Sequence, residues 1–293
     1  MMHINFPLLL VIAVAVAGLL ALLDLVWLAP RRKRAVAAYQ QQVDVADPQT
    51  IQQLEKEPLL VEYGKSFFPV LAVVLVLRSF LVEPFQIPSG SMKPTLEVGD
   101  FILVNKFAYG IRLPVVDTKI VEINDPERGD VMVFRYPNDP RINYIKRVVG
   151  LPGDHVRYAD KQLFINGEPV GRELLNVESD DEVPPGHPLQ AIAQAEVFEE
   201  QLGETVHTIR HKRLSQAPRP NEWLVPEGHY FMVGDNRDNS NDSRYWNEPN
   251  MPRELWGMVP DDYIVGKAFA VWMHWPEPKL RNLPSFSRVS LIH

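Results

Sequence analysis

Pro7 to Ala29 reads PLLLVIAVAVAGLLALLDLVWLA, 23 residues with a single charge, Asp24. At about 1.5 Å per residue, a helix of that length spans a hydrocarbon layer of about 30 Å. The run therefore reads as a membrane anchor. The whole chain conceals it: 293 residues, 46% hydrophobic and 23% charged, are the figures of an ordinary globular protein. A removable leader carries positive charge before its apolar core, but here only His3 precedes the run, while Arg31, Arg32, Lys33 and Arg34 follow it at once. By the positive-inside rule that basic cluster stays in the cytoplasm and the N-terminus faces outward. Asp24, near the cytoplasmic end, reads as an acid hydrated at the interface, with a functional intramembrane acid as the alternative.

Working outward, residues 31–62 read as a polar, Gln-rich cytoplasmic loop with some helix. A second apolar run, Ser66 to Val82, has 17 residues and one charge, Arg78, which is short for a spanning helix. Pro69 and Pro84 bracket it as a self-contained segment, the alternative being a buried core helix. The layout is then a first transmembrane helix within 1–30, the loop, a second transmembrane helix within 63–83, and an extracytoplasmic domain over 84–293. Absence of cysteine excludes thiolate metal sites, cysteine nucleophiles and disulfides. Thirty Lys and Arg against 37 Asp and Glu leave a net charge of −7, which argues against nucleic acid as a partner.

The domain after Glu83 reads as β-rich. Phe101–Val104, Val131–Tyr136, Tyr144–Val149, Gln162–Ile165, Tyr230–Val233 and Ile264–Trp272 are short runs of β-branched and aromatic residues set off by Gly, Pro, Asn and Asp. Asn166-Gly167 after Leu163-Phe164-Ile165 predicts a tight hairpin. Between 171 and 221 the pattern dissolves into acids, prolines and a weakly helical stretch around Ala191 to Gln201, assigned to a peripheral subdomain.

Three segments could carry chemistry. Ile87-Pro88-Ser89-Gly90-Ser91-Met92-Lys93-Pro94-Thr95 can present a serine on a rigid loop, with Gly90 allowing another chain to approach closely. Taken alone, Ser-Gly-Ser is ordinarily a turn. The histidines make a poor case for a triad, so lysine is the other base, provided burial keeps it neutral. In Asn143 to Val149, read as a strand, period two puts Tyr144, Lys146 and Val148 on one face and Ile145, Arg147 and Val149 on the other. Lys146 is either desolvated between its apolar neighbours or snorkels to water from an edge strand. Lys93, in the same loop as Ser91, reads as an exposed surface charge. Gly234 to Arg244, GDNRDNSNDSR, reads as a platform of Asp-Arg pairs in which Ser240 can hold an amine. Arg128-Gly129-Asp130 reads as a turn before a strand.

Taken in order and spacing, Ile87 to Met92 with Pro94-Thr95, Arg128-Gly129-Asp130, Tyr144 to Arg147 with Gly150-Leu151-Pro152-Gly153-Asp154, and Gly234 to Arg244 resemble the motif boxes of bacterial type I signal peptidase in its Gram-negative, two-anchor form. The resemblance implies a membrane-anchored, mainly β protein: two N-terminal transmembrane helices, then an antiparallel β catalytic domain with a peripheral β-rich subdomain. It implies a Ser/Lys endopeptidase that removes signal peptides from exported preproteins after Ala-x-Ala, on the periplasmic side of the inner membrane. It further implies Ser91 as nucleophile and Lys146 as general base, with the Ser91 amide and the Ser89 hydroxyl as oxyanion hole. Ser240 would orient the amine, Asp242 and Arg244 would form a supporting salt bridge, and Asp235 and Arg237 would be structural. Substrate would lie extended against a strand. Lipid and the secretion translocon are the expected partners beside preproteins, with no cofactor and no metal. Phe85, Trp272 and Trp275 are candidate interfacial side chains. Asn247 to Trp256 is longer than the family pattern, and the disulfide of some relatives cannot form here. Two rival readings are a self-cleaving Ser/Lys switch, which the anchors and acidic ectodomain oppose, and a catalytically silent membrane-anchored binding module for exported chains.

Overall fold

The computed structural model describes residues 6–43, 46–112, 119–184, 186–247, 251–277, 279 and 282–293. His3 and residues 248–250 of the long segment before Gly257 lie outside these. A helical unit ends at Leu81 and a β unit begins at Val82.

The helical unit opens with α1 (Phe6–Leu23), which runs through a π turn, Asp24–Leu28, directly into α2 (Ala29–Gln42). Residues 31–62 were expected to form a loop with some helix; the helix continues from the first apolar run as far as Gln42. Arginine, lysine, alanine and glutamine are good helix formers, and the π turn accommodates Pro30. Proline lacks an N–H and its ring crowds the carbonyl four residues back, here Val26, which lies inside the π turn, where Ala29 N–H bonds to Asp24 O. A short α3 (Pro48–Glu55) is capped by Asp47, whose carboxylate accepts from the N–H groups of Gln49 at 3.2 Å and Thr50 at 3.1 Å. Then α4 (Leu59–Val76) continues into a second π turn, Leu77–Leu81. It starts earlier than the apolar run predicts, and Pro69 lies inside it rather than bounding it.

Among the described residues, two helical stretches, Leu8–Gln42 and Leu59–Val76, are long and apolar enough to cross a membrane. They approach closely where side chains are smallest: a Cβ on Gly64 would lie 3.0 Å from Leu20 Cβ, and one on Gly18 would lie 2.9 Å from the Phe68 ring. Asp24 differs from the hydrated acid expected. It is 2% exposed and ion-paired with Arg32 at 2.8 Å and Lys65 at 3.0 Å, and Lys65 also meets Glu57 at 2.6 Å. A buried carboxylate in an apolar hairpin requires such partners.

In the β unit, β1 (Val82–Gln86) pairs antiparallel with β2 (Asp100–Asn105), and the Ser91 loop joins them. β3 (Ile111–Arg112) and β4 (Lys119–Val121) form a small separate ladder. β5 (Val131–Tyr136) and the long β6 (Asp139–Gly150) pair over most of β5, with a bulge near their turn. β7 (His155–Ala159), β8 (Gln162–Ile165) and β9 (Glu168–Pro169) follow as hairpins, the last turned by Asn166 and Gly167 with φ of 52° and 87°. Two consecutive left-handed residues are what the predicted hairpin requires.

β10 (Gly171–Ser179), β11 (Gln194–Leu202) and β12 (Thr205–Lys212) form a three-stranded antiparallel sheet. The weak helical signal from Ala191 to Gln201 is therefore overturned. Ala195, Val197, Glu200 and Leu202 are buried while strands pair on both sides, and that pairing outweighs local propensity. β13 (Asn221–Leu224) joins β7, β14 (His229–Val233) pairs with β6, and β15 (Met258–Pro260) pairs with β14. β16 (Ile264–His274) closes the main sheet between β2 and β5, with β17 (Ser290–Leu291) on β16. Trp272 is half-buried edge-on against Phe101, centroids 6.3 Å apart.

Candidate active site

Ser91 stands on a single 3-10 turn, Gly90–Met92. The turn is held from beneath: Met92 and Leu96 are fully buried with Ile87, Ile102 and Val104, so the residues flanking Ser91 anchor its loop in the core. Ser91 itself is 7% exposed. Alternation along β6 matches the predicted faces, since Tyr144 and Val148 pack in one apolar cluster and Ile145 in another. Lys146, 4% exposed, projects with Tyr144, whose ring centroid is 5.3 Å from the ammonium position.

Lys146 Nζ and Ser91 Oγ are 2.7 Å apart, and Nζ donates to Ile145 O at 2.7 Å. Burial pulls the Lys146 pKa down to about 8; Asp242 and Asp235 pull it back up, and Arg244 opposes them. The ammonium therefore still predominates at pH 7, with a free-amine fraction that grows as pH rises through about 8. Ser89 Oγ, on an exposed residue, lies 3.5 Å from Ser91 Oγ. A cleft of about 690 Å³ contains Ser89, Ser91, Lys146 and Ser240, and no histidine lines it among the described residues. β14 pairs with β6 only from Arg147 onward, so among the described residues Ile142 to Ile145 keep one edge unpaired along the cleft.

The 234–244 platform holds this arrangement. Arg244 grips Asp242 through Nε and one terminal nitrogen, both at 2.8 Å, and Asp242 also accepts from Gly234 N–H at 3.0 Å. Burial raises the Asp242 carboxyl, but Arg244 beside it more than reverses this and holds it below the usual range. Ser240 Oγ is buried without a well-formed hydrogen bond, though it helps hold the Asp242 carboxyl down; the Lys146 amine bonds to Ser91 and Ile145 rather than to it. Gly234 is required by close approach, since a Cβ there would lie 2.5 Å from Ser91 O and collide with Ser240.

The partners of the other two platform residues were not legible in sequence. Asp235 binds Arg147, the neighbour of Lys146 on the opposite face of β6, at 2.9 and 2.8 Å, and accepts from Thr95 Oγ1 at 2.5 Å. Arg237 is held by both carboxylate oxygens of Glu200 from β11. Paired hydrogen bonds between a buried guanidinium and a carboxylate fix both groups in place. Sequence reasoning missed Arg147 and Glu200; a cation inside the predicted strand 144–149 was a signal for the first, whereas Glu200 lay in a stretch read as weakly helical. Lys93 is also corrected. It is 12% exposed and pairs with Asp181 at 2.5 Å and Glu97 at 3.2 Å; burial lowers its pKa, and these two acids outweigh that and raise it.

The family profile described as "Signal peptidase, peptidase S26" matches residues 60–275. Signal peptidase I of Pseudomonas fluorescens is 67% identical over 293 residues, covering 99% of this chain and 100% of that protein. That of Pseudomonas aeruginosa strain PAO1 is 65% identical over 294 residues, covering 100% of both. A crystal structure of a signal peptidase I from Enterococcus faecalis is matched at 27% identity over 50% of this chain and 98% of that one, with a TM-score of 0.26. An end-to-end likeness at two-thirds identity, with the profile spanning both the Ser91 loop and the 234–244 platform, makes this chain a member of the type I signal peptidase family, peptidase S26.

Proposed function

We propose that the chain is a membrane-anchored serine endopeptidase that removes signal peptides from exported preproteins after a small-x-small sequence, with Ser91 as nucleophile and Lys146 as base. The observation that carries this reading is the 2.7 Å separation of Lys146 Nζ and Ser91 Oγ, both groups being buried. A neutral amine there accepts the hydroxyl proton as Ser91 Oγ attacks the scissile carbonyl, and returns it to the leaving amine. The Ser91 amide and Ser89 hydroxyl stabilise the oxyanion. Water, deprotonated by the same amine, then releases the acyl chain.

Substrate lies extended along the free edge of β6 at Ile142 to Ile145, where main-chain hydrogen bonding supplies affinity independent of sequence. Specificity for small residues follows from the exclusion of bulk, since overpacking costs about 1–3 kcal/mol per site. Two spanning helices, one within 1–30 and one within 63–83, are supported by the length and apolarity of α1 and α4. The basic residues 31–34 then assign residues 31–62 to the cytoplasm, and residues 84–293, with the 171–221 subdomain, to the periplasmic face of the inner membrane. Ser91 follows the end of the second helix by ten residues, which suits a cleavage site emerging from the bilayer or from the translocon.

Purified enzyme in detergent is expected to cut a preprotein after Ala-x-Ala, while Ser91→Ala and Lys146→Ala each remove cutting without loss of fold. Cleavage that survives in either variant refutes the dyad.

A further inference from the structure

The subdomain assigned to the periphery sends one loop back to the nucleophile. Beyond β10 the chain turns through Asp180 to Val183, and the Glu182 side chain, 11% exposed, points at the platform. Its Oε1 accepts from Asn236 Nδ2 at 2.7 Å and from Asn239 Nδ2 at 2.9 Å, while Oε2 faces Lys212 Nζ at 2.8 Å. Asn236 is fully buried, and its Nδ2 also donates to Gly90 O at 3.0 Å. Its main-chain N–H donates to Ser91 O at 3.1 Å. An amide nitrogen has two hydrogens, and both are used here: one fixes the nucleophile turn, the other is fixed by Glu182.

Two independent features locate that carboxylate. A Cβ built on Gly90 would lie 2.7 Å from Glu182 Oε1, so the chain that approaches Gly90 is the Glu182 loop. β12 is also bound to the platform main chain, Arg210 N–H donating to Asp235 O and Arg237 N–H to Arg210 O, both at 2.9 Å. Lys93, on the nucleophile loop itself, reaches Asp181 from the other side.

We propose that Glu182 is a positioning residue for cleavage: its Oε1 orients Asn236, which holds the carbonyls of Gly90 and Ser91 and so aims the Ser91 hydroxyl. This rests on Ser91 being the nucleophile. A displacement of the attacking atom by a fraction of an ångström lowers the rate of the chemical step and leaves substrate affinity unchanged.

The experiment compares full-length Glu182→Ala, Glu182→Asp and Glu182→Gln with the parent and Ser91→Ala, by steady-state cleavage of an Ala-x-Ala preprotein across pH. Gln retains an acceptor at the Oε1 position and loses the charge; Asp retains the charge and withdraws the acceptor. Expected are a fall in kcat of about tenfold for Ala and Asp, a KM within about twofold, an unmoved pH midpoint, and kcat close to the parent for Gln. Glu178→Ala, which removes a partner of Arg210 away from the turn, is expected to behave as the parent. The proposal is overturned if Glu182→Asp is fully active while Glu182→Gln is not, if KM alone changes, or if Glu178→Ala loses as much. Should Glu182→Ala fail to fold, the Asp and Gln pair decides. An active Ser91→Ala would instead overturn the nucleophile assignment itself, a result separable from all of these.

Discussion

Arg147 and Asp235 face each other through two parallel hydrogen bonds of 2.9 and 2.8 Å, with both side chains 1% exposed. Arg147 also donates to Gly129 O at 2.6 Å and His293 O at 2.8 Å. Its neighbour Lys146 has no carboxylate in hydrogen-bond contact among the described residues, and burial pulls its pKa down to about 8. Adjacent residues of one strand thus meet burial in opposite ways: Arg147 is paired with a carboxylate, whereas the Lys146 pKa is pulled down by burial.

Arg147→Met leaves Asp235 buried without its counterion and is expected to cost about 3–5 kcal/mol in urea unfolding of the detergent-solubilised protein. Replacing Asp235 by Leu in the same chain should recover most of that loss. A double variant no more stable than Arg147→Met would show that the pair does not act as a unit.

Cleavage should rise with pH as Lys146 loses its proton, with a midpoint near the Lys146 pKa of about 8. Stability shares the sign. The folded pKa lies below the ordinary value of 10.5, so between about 8 and 10.5 the unfolded chain binds the extra proton and ΔG of unfolding climbs with pH. Below that window the charged amine is a burden, and inactive Lys146→Met is expected to be more stable than the parent by about 1–3 kcal/mol at neutral pH. Chemical denaturation at pH 7 and pH 10 measures both, and the advantage of Lys146→Met should shrink at the higher pH.

Gly234→Ala places a methyl group against Ser91 O and Ser240. The backbone on both sides is held by buried bonds, so the strain is expected to destabilise by about 1–3 kcal/mol and to move the Ser91 turn. A loss of kcat larger than the loss of folded protein, read by cleavage beside circular dichroism, is the expected result.

Glu200 is buried against Arg237; burial raises its pKa, but Arg237 and His207 outweigh this and hold it at about 2, below the usual 4.5. Its contribution is complete above about 4.5 and disappears as pH falls toward about 2. Glu200→Gln should therefore lower stability at pH 7 by about 3–5 kcal/mol, because Arg237 loses its counterion. The variant should also show a shallower decline than the parent between pH 5 and pH 2, within the window set by the Glu200 pKa. Melting followed by tryptophan fluorescence across that range distinguishes the two.

What could be read before any coordinates was local. The Asn166-Gly167 hairpin depends on two adjacent left-handed residues, and the two faces of β6 depend on period two, so each is encoded within a few positions. The Ser91 loop was legible from its own prolines and glycine. Apolar length marked both long helices but not their ends: a π turn allows the chain to continue past Pro30, and Pro69, read as bracketing the second run, lies inside α4. The weak helical signal of Ala191 to Gln201 likewise gave way to pairing with β10 and β12.

The sequence by itself determined where the apolar helices, the β-rich body and the serine and lysine candidates lie, since periodicity, turn chemistry and charge act over short stretches of chain. Only the tertiary structure decided that Lys146 meets Ser91 across 55 residues, that Asp235 belongs to Arg147 and Arg237 to Glu200, and that Glu182 reaches the Ser91 turn through Asn236. Those pairings form where buried charges find partners on distant strands, and the free energy that selects them, desolvation balanced against a complete set of hydrogen bonds, exists only once the sheets have packed.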